Sequence, residues 1–172
     1  MTGHNSVKMK DLLQVYNNLG FINAESYIQS GNVVFGYPGE INERALSTAI
    51  HQAIKSAFGY DIAVIIRSVS ELNDIKTANP FLSENNFDPS KMAVIFLTSE
   101  VTAIQKDKVA SIDYPPDKFF IRGREIYIYC PNGFGKTKLY TNFFENRMGV
   151  TGTARNWKSI TTILQIAEKK TL

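Results

Sequence analysis

The sequence is poor in the residues that most site chemistry requires. It contains one cysteine, Cys130, and two histidines, His4 and His51. A single cysteine excludes an intrachain disulfide and every metal site built from several cysteines. The histidines and carboxylates show no spacing typical of metal ligands, so neither a metal nor a cofactor is predicted.

Long apolar runs are absent as well. No stretch approaches the roughly 20 apolar residues that a bilayer-spanning helix requires, and Met1–Asn5 lack the basic and apolar segments of an export signal. These absences predict a cytoplasmic protein with no membrane partner. What the chain does have is 172 residues, 44% of them hydrophobic and 12% aromatic, which is enough for one large domain or two small ones.

Charge is distributed unevenly along the chain. Residues 1–117 hold 9 Lys and Arg against 13 Asp and Glu, whereas residues 118–172 hold 10 against 3. The net charge of +3 therefore comes from the last third. Such a basic segment attracts phosphates or nucleic acid, although an unevenly charged surface with no partner gives the same pattern.

Hydrophobic periodicity predicts helix, hairpin, helix and strand in the first half. The predicted elements are a helix over 8–19, β-segments over 25–29 and 33–37, a helix over 43–58 and a strand over 62–66. Asn42 is placed to cap the second helix and Gly59 to end it. The strand is expected to be covered on both faces, because its five residues are all apolar.

A loop over 79–89, rich in proline, asparagine and serine, separates the halves and predicts two domains, 1–80 and 90–172. Around it the patterns predict a helix over 70–78, a strand over 93–97, a helix near 101–111, a hairpin over 119–129, a helix over 138–147, an extended piece over 152–156 and a final helix over 159–168. The second half thus repeats the element order of the first with one more strand at its start. Each half fits a ferredoxin-like βαββαβ unit, so the predicted fold is α+β with two such subdomains in tandem, the second carrying a C-terminal helix.

Four motifs resemble those of the bacterial domain of unknown function 1697 family. They are Tyr-Ile-Gln-Ser-Gly-Asn-Val-Val-Phe at 27–35, Arg-Gly-Arg-Glu at 122–125, Pro-Asn-Gly at 131–133 with Lys138 and Leu139, and Arg-Asn-Trp at 155–157. The resemblance covers nearly the whole chain. It implies two plait-like subdomains and no established activity.

The chain departs from this family pattern at its start. Family members open with an apolar strand and a glycine-containing turn, and here Met1 stands inside that turn. A misassigned start codon or a trimmed chain is the simplest explanation. We expect either that the remaining strands close the gap or that another chain adds a strand there, and a homodimer is one form of the second case.

The strongest candidate site is the glycine- and lysine-rich stretch that follows the second hairpin. Gly133 and Gly135 let backbone amides approach an anion, and Lys136 and Lys138 add charge at the expected helix start. A nucleotide-hydrolysing loop is disfavoured, because that motif needs a glycine where Cys130 stands. A plain turn that caps a helix is the favoured alternative.

Arg155, Asn156, Trp157 and Lys158 form a second candidate, because arginine beside an aromatic can hold a phosphate and stack a base. The favoured alternative is structural: Trp157 anchors the last helix, Asn156 caps it and Arg155 pairs with a carboxylate. Arg122 and Arg124 could support either basic site.

Two further clusters of residues are candidate binding sites. Tyr127 and Tyr129 share one strand face and with Phe119 and Phe120 could form a stacking platform if that face is open; an interface is favoured instead. Gln29, Ser30 and Asn32 could line a cleft, although turn chemistry alone accounts for them. Nucleophilic catalysis is weakly supported, because Ser30 has no adjacent base and His51 is expected to face water.

The sequence therefore predicts a non-catalytic binding module whose basic C-terminal half recognises a phosphate-bearing partner such as nucleic acid. Two alternatives stay open. One is a small-molecule binder or enzyme with its site in a groove between the subdomains, near Ser30 and Arg155. The other is a module for protein association.

Overall fold

The structure, a computed structural model, describes residues 6–170. In that range the chain is mixed α/β, with two sheets and six α-helices. The helices are α1 (Met9–Asn18), α2 (Glu43–Phe58), α3 (Val69–Thr77), α4 (Ala103–Asp107), α5 (Thr141–Met148) and α6 (Trp157–Lys170). The strands are β1 (Ile22–Tyr27), β2 (Asn32–Gly36), β3 (Met92–Leu97), β4 (Lys118–Arg122), β5 (Glu125–Tyr129) and β6 (Gly152–Asn156). The sequence features at Met1–Asn5, His4 among them, lie outside the described residues.

The chain divides into two compact units. The first takes Met1–Val69 with Ile163–Leu172, of which residues 6–69 and 163–170 are described, and the second takes Ser70–Thr162. This division differs from the predicted boundary at residues 79–90, which falls inside the second unit. The reason is packing: Phe81 and Phe87 both stack on Tyr129 of β5, with ring centroids 5.7 and 5.5 Å away.

The first unit has the predicted helix, hairpin and helix. Strands β1 and β2 pair antiparallel around the Ser30 turn. Asn42 caps α2 by accepting a hydrogen bond from Ala45 N at 3.0 Å, and Gly59 ends α2 in the left-handed conformation. Helices α1 and α2 bury one shared apolar cluster, which includes Leu12, Leu46, Ile50 and Ile54.

The strand predicted over 62–66 is wrong. In the described part of the chain, residues 61–68 carry no strand assignment. Ile62, Val64 and Ile66 do pack against the core of the first unit. The apolar pattern reports burial correctly, but a strand also needs a neighbour to pair with, and that neighbour is not encoded in the segment itself.

The second unit is built on a four-stranded sheet in the order β4-β5-β3-β6 with every pair antiparallel. All six residues of the central strand β3 are buried, because both faces are covered. On one face, Ile95 and Leu97 join a core with Phe144 and Met148 of α5. On the other face, α3 lies over the strand centres, where Tyr127 reaches the carbonyl of Ile75.

Two helices in the second unit differ from expectation. Helix α4 spans only five residues, opened by a capping box between Thr102 and Gln105, where a helix near 101–111 was predicted. Helix α5 begins at Thr141 rather than at about residue 138, because residues 134–136 form a short 3₁₀ turn first. Within residues 6–170, every helix falls short of the length and apolar character that crossing a bilayer requires.

Candidate functional site

We call residues 131–140, which follow β5, the Gly133 turn. Cys130 enters it with its N–H bonded to the Lys91 carbonyl at 2.9 Å, and Gly133 N then donates to the Cys130 carbonyl at 2.8 Å. Gly133 has a φ of +88°, which a side chain would strain. The glycine is therefore required by the backbone itself.

The far end of the turn is held by Thr137. Its hydroxyl oxygen accepts a hydrogen bond from Leu139 N at 3.1 Å and lies 3.4 Å from the Cys130 sulfur, which donates to it. Leu139 is buried. Burial raises the pKa of the Cys130 thiol, so the thiol stays protonated at neutral pH and serves packing rather than nucleophilic chemistry.

The lysines of the turn do not sit at a helix start. Thr141, not Lys138, opens α5. The Lys138 ammonium lies over the ring of Tyr114, 5.0 Å from its centroid, which is within cation–π range. Lys136 is exposed on the 3₁₀ turn. The space beside the preceding Gly135 is open: apart from the two residues next to Gly135 in the chain, no atom lies within 4 Å of the position that a Cβ on Gly135 would take.

Sequence reasoning missed Lys91. Its Nζ lies 3.7 Å from the position that a Cβ on Gly133 would take. The pairing of Met92 with Tyr129 brings the residue before β3 beside the residues after β5, although they are far apart in sequence. Only a prediction of strand register could have found this neighbour.

Two aromatic side chains of the Gly133 turn were also missed. Phe134 is 39% exposed and Tyr140 is 56% exposed. Both rings are therefore accessible to solvent. The site was predicted from its glycines and lysines alone, so neither ring was included.

The Arg155 segment lies at the end of β6. The Arg155 guanidinium donates from Nη1 to Thr153 Oγ1 and to the Ala154 carbonyl, both at 2.7 Å, and burial lowers its pKa. Asn156 Oδ1 accepts a hydrogen bond from Ser159 N at 2.8 Å and so caps α6. Trp157 is buried and Lys158 is exposed, so Lys158 is the accessible cation of this segment.

Strand register decides which basic residues gather. Asn156 pairs with Ala93, and Tyr129 pairs with the adjacent Met92. The Gly133 turn and Lys158 therefore leave the same end of the sheet, on strands two spacings apart, or roughly 10 Å.

Arg122 and Arg124 leave the opposite end. They flank Gly123 in the β4–β5 turn, and the five residues of β5 put roughly 17 Å between that turn and the Gly133 turn. Arg124 Nη2 also lies 2.5 Å from Glu71 Oε1. The two arginines are thus separate from the lysines that sequence analysis grouped with them.

The tyrosine face is covered. Tyr127 is fully buried and donates to the Ile75 carbonyl at 2.8 Å, while Phe81 and Phe87 stack on Tyr129. No platform of these two tyrosines is open to a base. Of the four aromatics considered, Phe120 is the large exposed one, at 47%.

The Ser30 turn and His51 belong to the first unit. Asn32 Nδ2 donates to Ser30 Oγ at 2.7 Å and to the Tyr27 carbonyl at 3.2 Å, which are turn contacts; Gln29 is exposed. His51 was expected to face water, but it is half-buried: Nδ1 is 2.7 Å from the Ile62 carbonyl oxygen and Nε2 is 3.1 Å from Asp61 Oδ1. It ties residues 61–62 to α2, which the helix pattern alone does not show.

Comparisons with known proteins address the family and the fold. The model of a family described as "Protein of unknown function (DUF1697)" matches residues 1–127. A solved structure of a conserved bacterial protein from Streptococcus pneumoniae is similar with a TM-score of 0.74 and 21% identity, covering 97% of this chain and 92% of that one. At this identity the likeness concerns the fold. No curated protein matches the chain significantly.

Proposed function

We propose, starting from the fact that the chain belongs to the DUF1697 family of proteins of unknown function, that it is a non-catalytic module that binds a phosphate-bearing partner. The binding surface is the Gly133 turn together with Lys91 and Lys158. Arg122 and Arg124 are not part of it, because they leave the other end of the sheet.

The observation that carries the proposal is the position of Lys91. Its ammonium lies beside Gly133, 3.7 Å from where a Cβ would be, and the exposed Lys136 follows three residues later. Gly133 N already donates to the Cys130 carbonyl, so what the glycine contributes is space free of a side chain, into which the ammonium can attract an oxyanion. Lysine is a suitable residue here, because it binds phosphate as a point charge from several directions.

The exposed rings narrow the partner to single-stranded nucleic acid. Phe134 precedes Lys136 by two residues, and Tyr140 follows Lys138 by two. Two exposed aromatics that flank two cations allow bases to stack while phosphates are neutralised, and this mode is tolerant of sequence. A free phosphate or nucleotide would use the lysines but only one ring.

Fluorescence anisotropy with a labelled single-stranded 20-mer tests this function. With about four phosphates neutralised, one for each lysine of the surface, log K should fall against log salt with a slope of about −3. Lys91→Ala should make the slope shallower by about 0.7, since one phosphate contact is lost. Phe134→Ala should weaken binding about tenfold or more at every salt concentration.

The chain offers a matched control in Lys106 and Lys108. Like Lys136 and Lys138 they are exposed and spaced by two residues, but they lie at α4. Lys136→Ala/Lys138→Ala should weaken binding and Lys106→Ala/Lys108→Ala should not. Equal losses from both pairs, or no binding at about 50 mM salt, would rule the proposal out.

We further propose that each unit is a ferredoxin-like plait. In the second unit this is supported by the order β4-β5-β3-β6, the antiparallel pairing, and helices α4 and α5 between the strands. In the first unit it is supported by the order of the elements: α1, β1, β2, α2 and the apolar segment 62–66 follow one another as α4, β4, β5, α5 and β6 do in the second unit. The first unit then lacks only the counterpart of β3 among its described residues.

A further inference from the structure

Helix α5 carries aromatic and basic side chains along one side. Tyr140 lies at its N-cap, and Phe143 and Arg147 follow at spacings of three and four residues, which place all three on the same side of the helix. Phe144 and Met148, one residue further along from two of them, are buried in the core of the second unit. Tyr140 and Arg147 are exposed and Phe143 is half-buried, so this side of α5 is open to solvent.

Two of these side chains join two others in a continuous row. The Arg147 guanidinium lies over the Phe143 ring, 5.7 Å from its centroid, and Phe143 meets Tyr114 edge to face with the ring centroids 6.0 Å apart. Tyr114 is the ring that lies under the Lys138 ammonium. Cations and rings therefore follow one another in steps of 5.0 to 6.0 Å. We call Lys138, Tyr114, Phe143 and Arg147 the α5 row.

The two cations of the α5 row are not neutralised by carboxylates. Among residues 6–170, neither Lys138 nor Arg147 forms an ion pair. By contrast, Lys118 of β4 pairs with Glu84 at 2.8 Å. A cation attracted to the face of a ring lies in a defined position, and its charge remains available to a phosphate.

The α5 row begins within the surface assigned to the phosphate-bearing partner. Lys138 and Tyr140 belong to the Gly133 turn, and Arg147 follows Tyr140 by seven residues, which is roughly 10 Å at about 1.5 Å of rise per residue. The row therefore extends the Gly133 turn in one direction with the same two kinds of side chain. Rings and cations together are the surface on which proteins bind single strands.

We propose that a single-stranded nucleic acid held at the Gly133 turn continues along the α5 row, so that Arg147 binds nucleotides that the turn does not reach. The guanidinium plane of Arg147 is a surface on which a base can stack, and its N–H groups can donate to the adjacent phosphate. Phe143 supports the guanidinium from the side of the core. The inference rests on the proposed function, because the strand must first be held at the Gly133 turn, and it adds a longer footprint to that function.

Labelled oligothymidylates of two lengths, about four and about twelve nucleotides, test the α5 row on the intact protein. Fluorescence anisotropy is measured at about 0.1 M salt, where charges are screened beyond about 10 Å. Arg147→Ala should weaken binding of the longer strand about tenfold and change binding of the shorter strand by less than about twofold. For the longer strand alone, the slope of log K against log salt should become shallower by about 0.7. Each strand is compared between two proteins, so the number of positions at which it can bind cancels.

Two further variants separate the contributions of charge and of stacking. Arg147→Lys keeps the charge but not the planar group, so the salt slope should be retained while part of the affinity for the longer strand is lost. Lys76→Ala is the matched control for charge, because Lys76 is also exposed and lies in the last turn of its helix, α3. It should change the binding of neither strand. Thermal denaturation should show each variant folded, with Tm within about 2 °C of the wild type, since both side chains are exposed.

Lys91→Ala distinguishes failure of the α5 row from failure of the proposed function, because it should weaken binding of both strands alike. If both strands bind the wild type and Arg147→Ala changes neither, or weakens both equally, the α5 row is not an extension of the site and the inference is overturned, while the Gly133 turn remains a binding surface. If neither strand binds the wild type, the proposed function fails and the inference fails with it. Loss confined to the longer strand in Arg147→Ala, with Lys76→Ala unchanged, is the result expected.

Discussion

The phenolic hydroxyl of Tyr127 donates a hydrogen bond to the Ile75 carbonyl at 2.8 Å, and so joins the middle of β5 to α3. Tyr127 has no exposed surface. The same ring that the sequence offers as a stacking surface is therefore the contact that closes one face of the second sheet.

Replacing Tyr127 by phenylalanine should lower the free energy of unfolding by about 1 to 2 kcal/mol, because the buried carbonyl loses its partner while the ring still fills its space. Chemical denaturation of the variant measures this. Tyr140→Phe removes a hydroxyl from a side chain that is 56% exposed and should change stability by less than about 0.5 kcal/mol. Equal effects in the two variants would contradict a structural role for the bond.

Because of Tyr16, the stability of the first unit should decrease at alkaline pH. Burial raises its pKa from 10.0 to about 12. The phenol is thus neutral in the folded state at pH values where the unfolded chain has already lost the proton. Stability is fully present below about pH 10 and is lost as the pH rises toward 12, by roughly 2 to 3 kcal/mol.

Tyr16→Phe should remove that part of the alkaline loss, as measured by denaturation between pH 8 and about 12. At pH 8 the variant and the wild type should differ by a fixed amount. Burial raises the pKa of Tyr127 as well, so the variant should retain some alkaline sensitivity. Parallel curves for both proteins across the whole range would show that Tyr16 does not titrate as described.

The sequence predicted an element of the fold correctly where the residues that determine the element lie close together in the chain. Asn42 and Gly59 marked both ends of α2, and the Gly123 turn marked the second hairpin, because caps and tight turns are made by residues close in sequence. Residues 62–66 show the limit. Their pattern is that of a buried strand, and what they lack is a partner strand, which no local pattern can report.

The candidate site was predictable to a smaller extent for the same reason. The Gly133 turn was identified from its glycines and lysines, but Lys91 reaches it only through the pairing of β3 with β5. Arg122 and Arg124 are close to the turn in sequence and distant in space, because a strand carries them to the other end of the sheet. A count of charges along the sequence does not show at which end of a strand each charge lies.

Substitutions of Asn156 should distinguish a structural role of the Arg155 segment from a role in binding. Because its side chain accepts from Ser159 N at 2.8 Å, Asn156→Ala should cost about 1 kcal/mol of stability. Asn156→Asp should keep the cap and most of the stability, since a carboxylate accepts the same bond. Thermal denaturation measures both variants.

Binding should respond in the reverse order. Asn156→Ala leaves the charge near Lys158 unchanged, so the affinity for single-stranded nucleic acid should stay within about twofold at a temperature where the variant is folded. Asn156→Asp adds a negative charge beside Lys158 and should weaken binding at low salt, with the effect fading as salt rises. Weaker binding by the alanine variant at all salt concentrations would mean that the Asn156 amide contacts the ligand.

Gly152 is the glycine whose replacement the second unit should tolerate least. A Cβ there would lie 2.8 Å from the Phe96 carbonyl oxygen and from Leu97 Cδ2, and 2.9 Å from Ile95 Cγ2. All three atoms belong to the buried central strand β3. Neither the backbone oxygen nor the packed side chains have space to retreat, so the strands β3 and β6 must separate locally.

Gly152→Ala should therefore lower the free energy of unfolding by about 1 to 3 kcal/mol, the usual cost of forcing an extra carbon into a packed core. Gly135→Ala is the matched control, because no atom outside its chain neighbours lies within 4 Å of its Cβ position and its φ is not positive. The control should be neutral or slightly stabilising, since alanine restricts the unfolded chain. If Gly152→Ala were as stable as the control, the close approach of β6 to β3 would not exist as described.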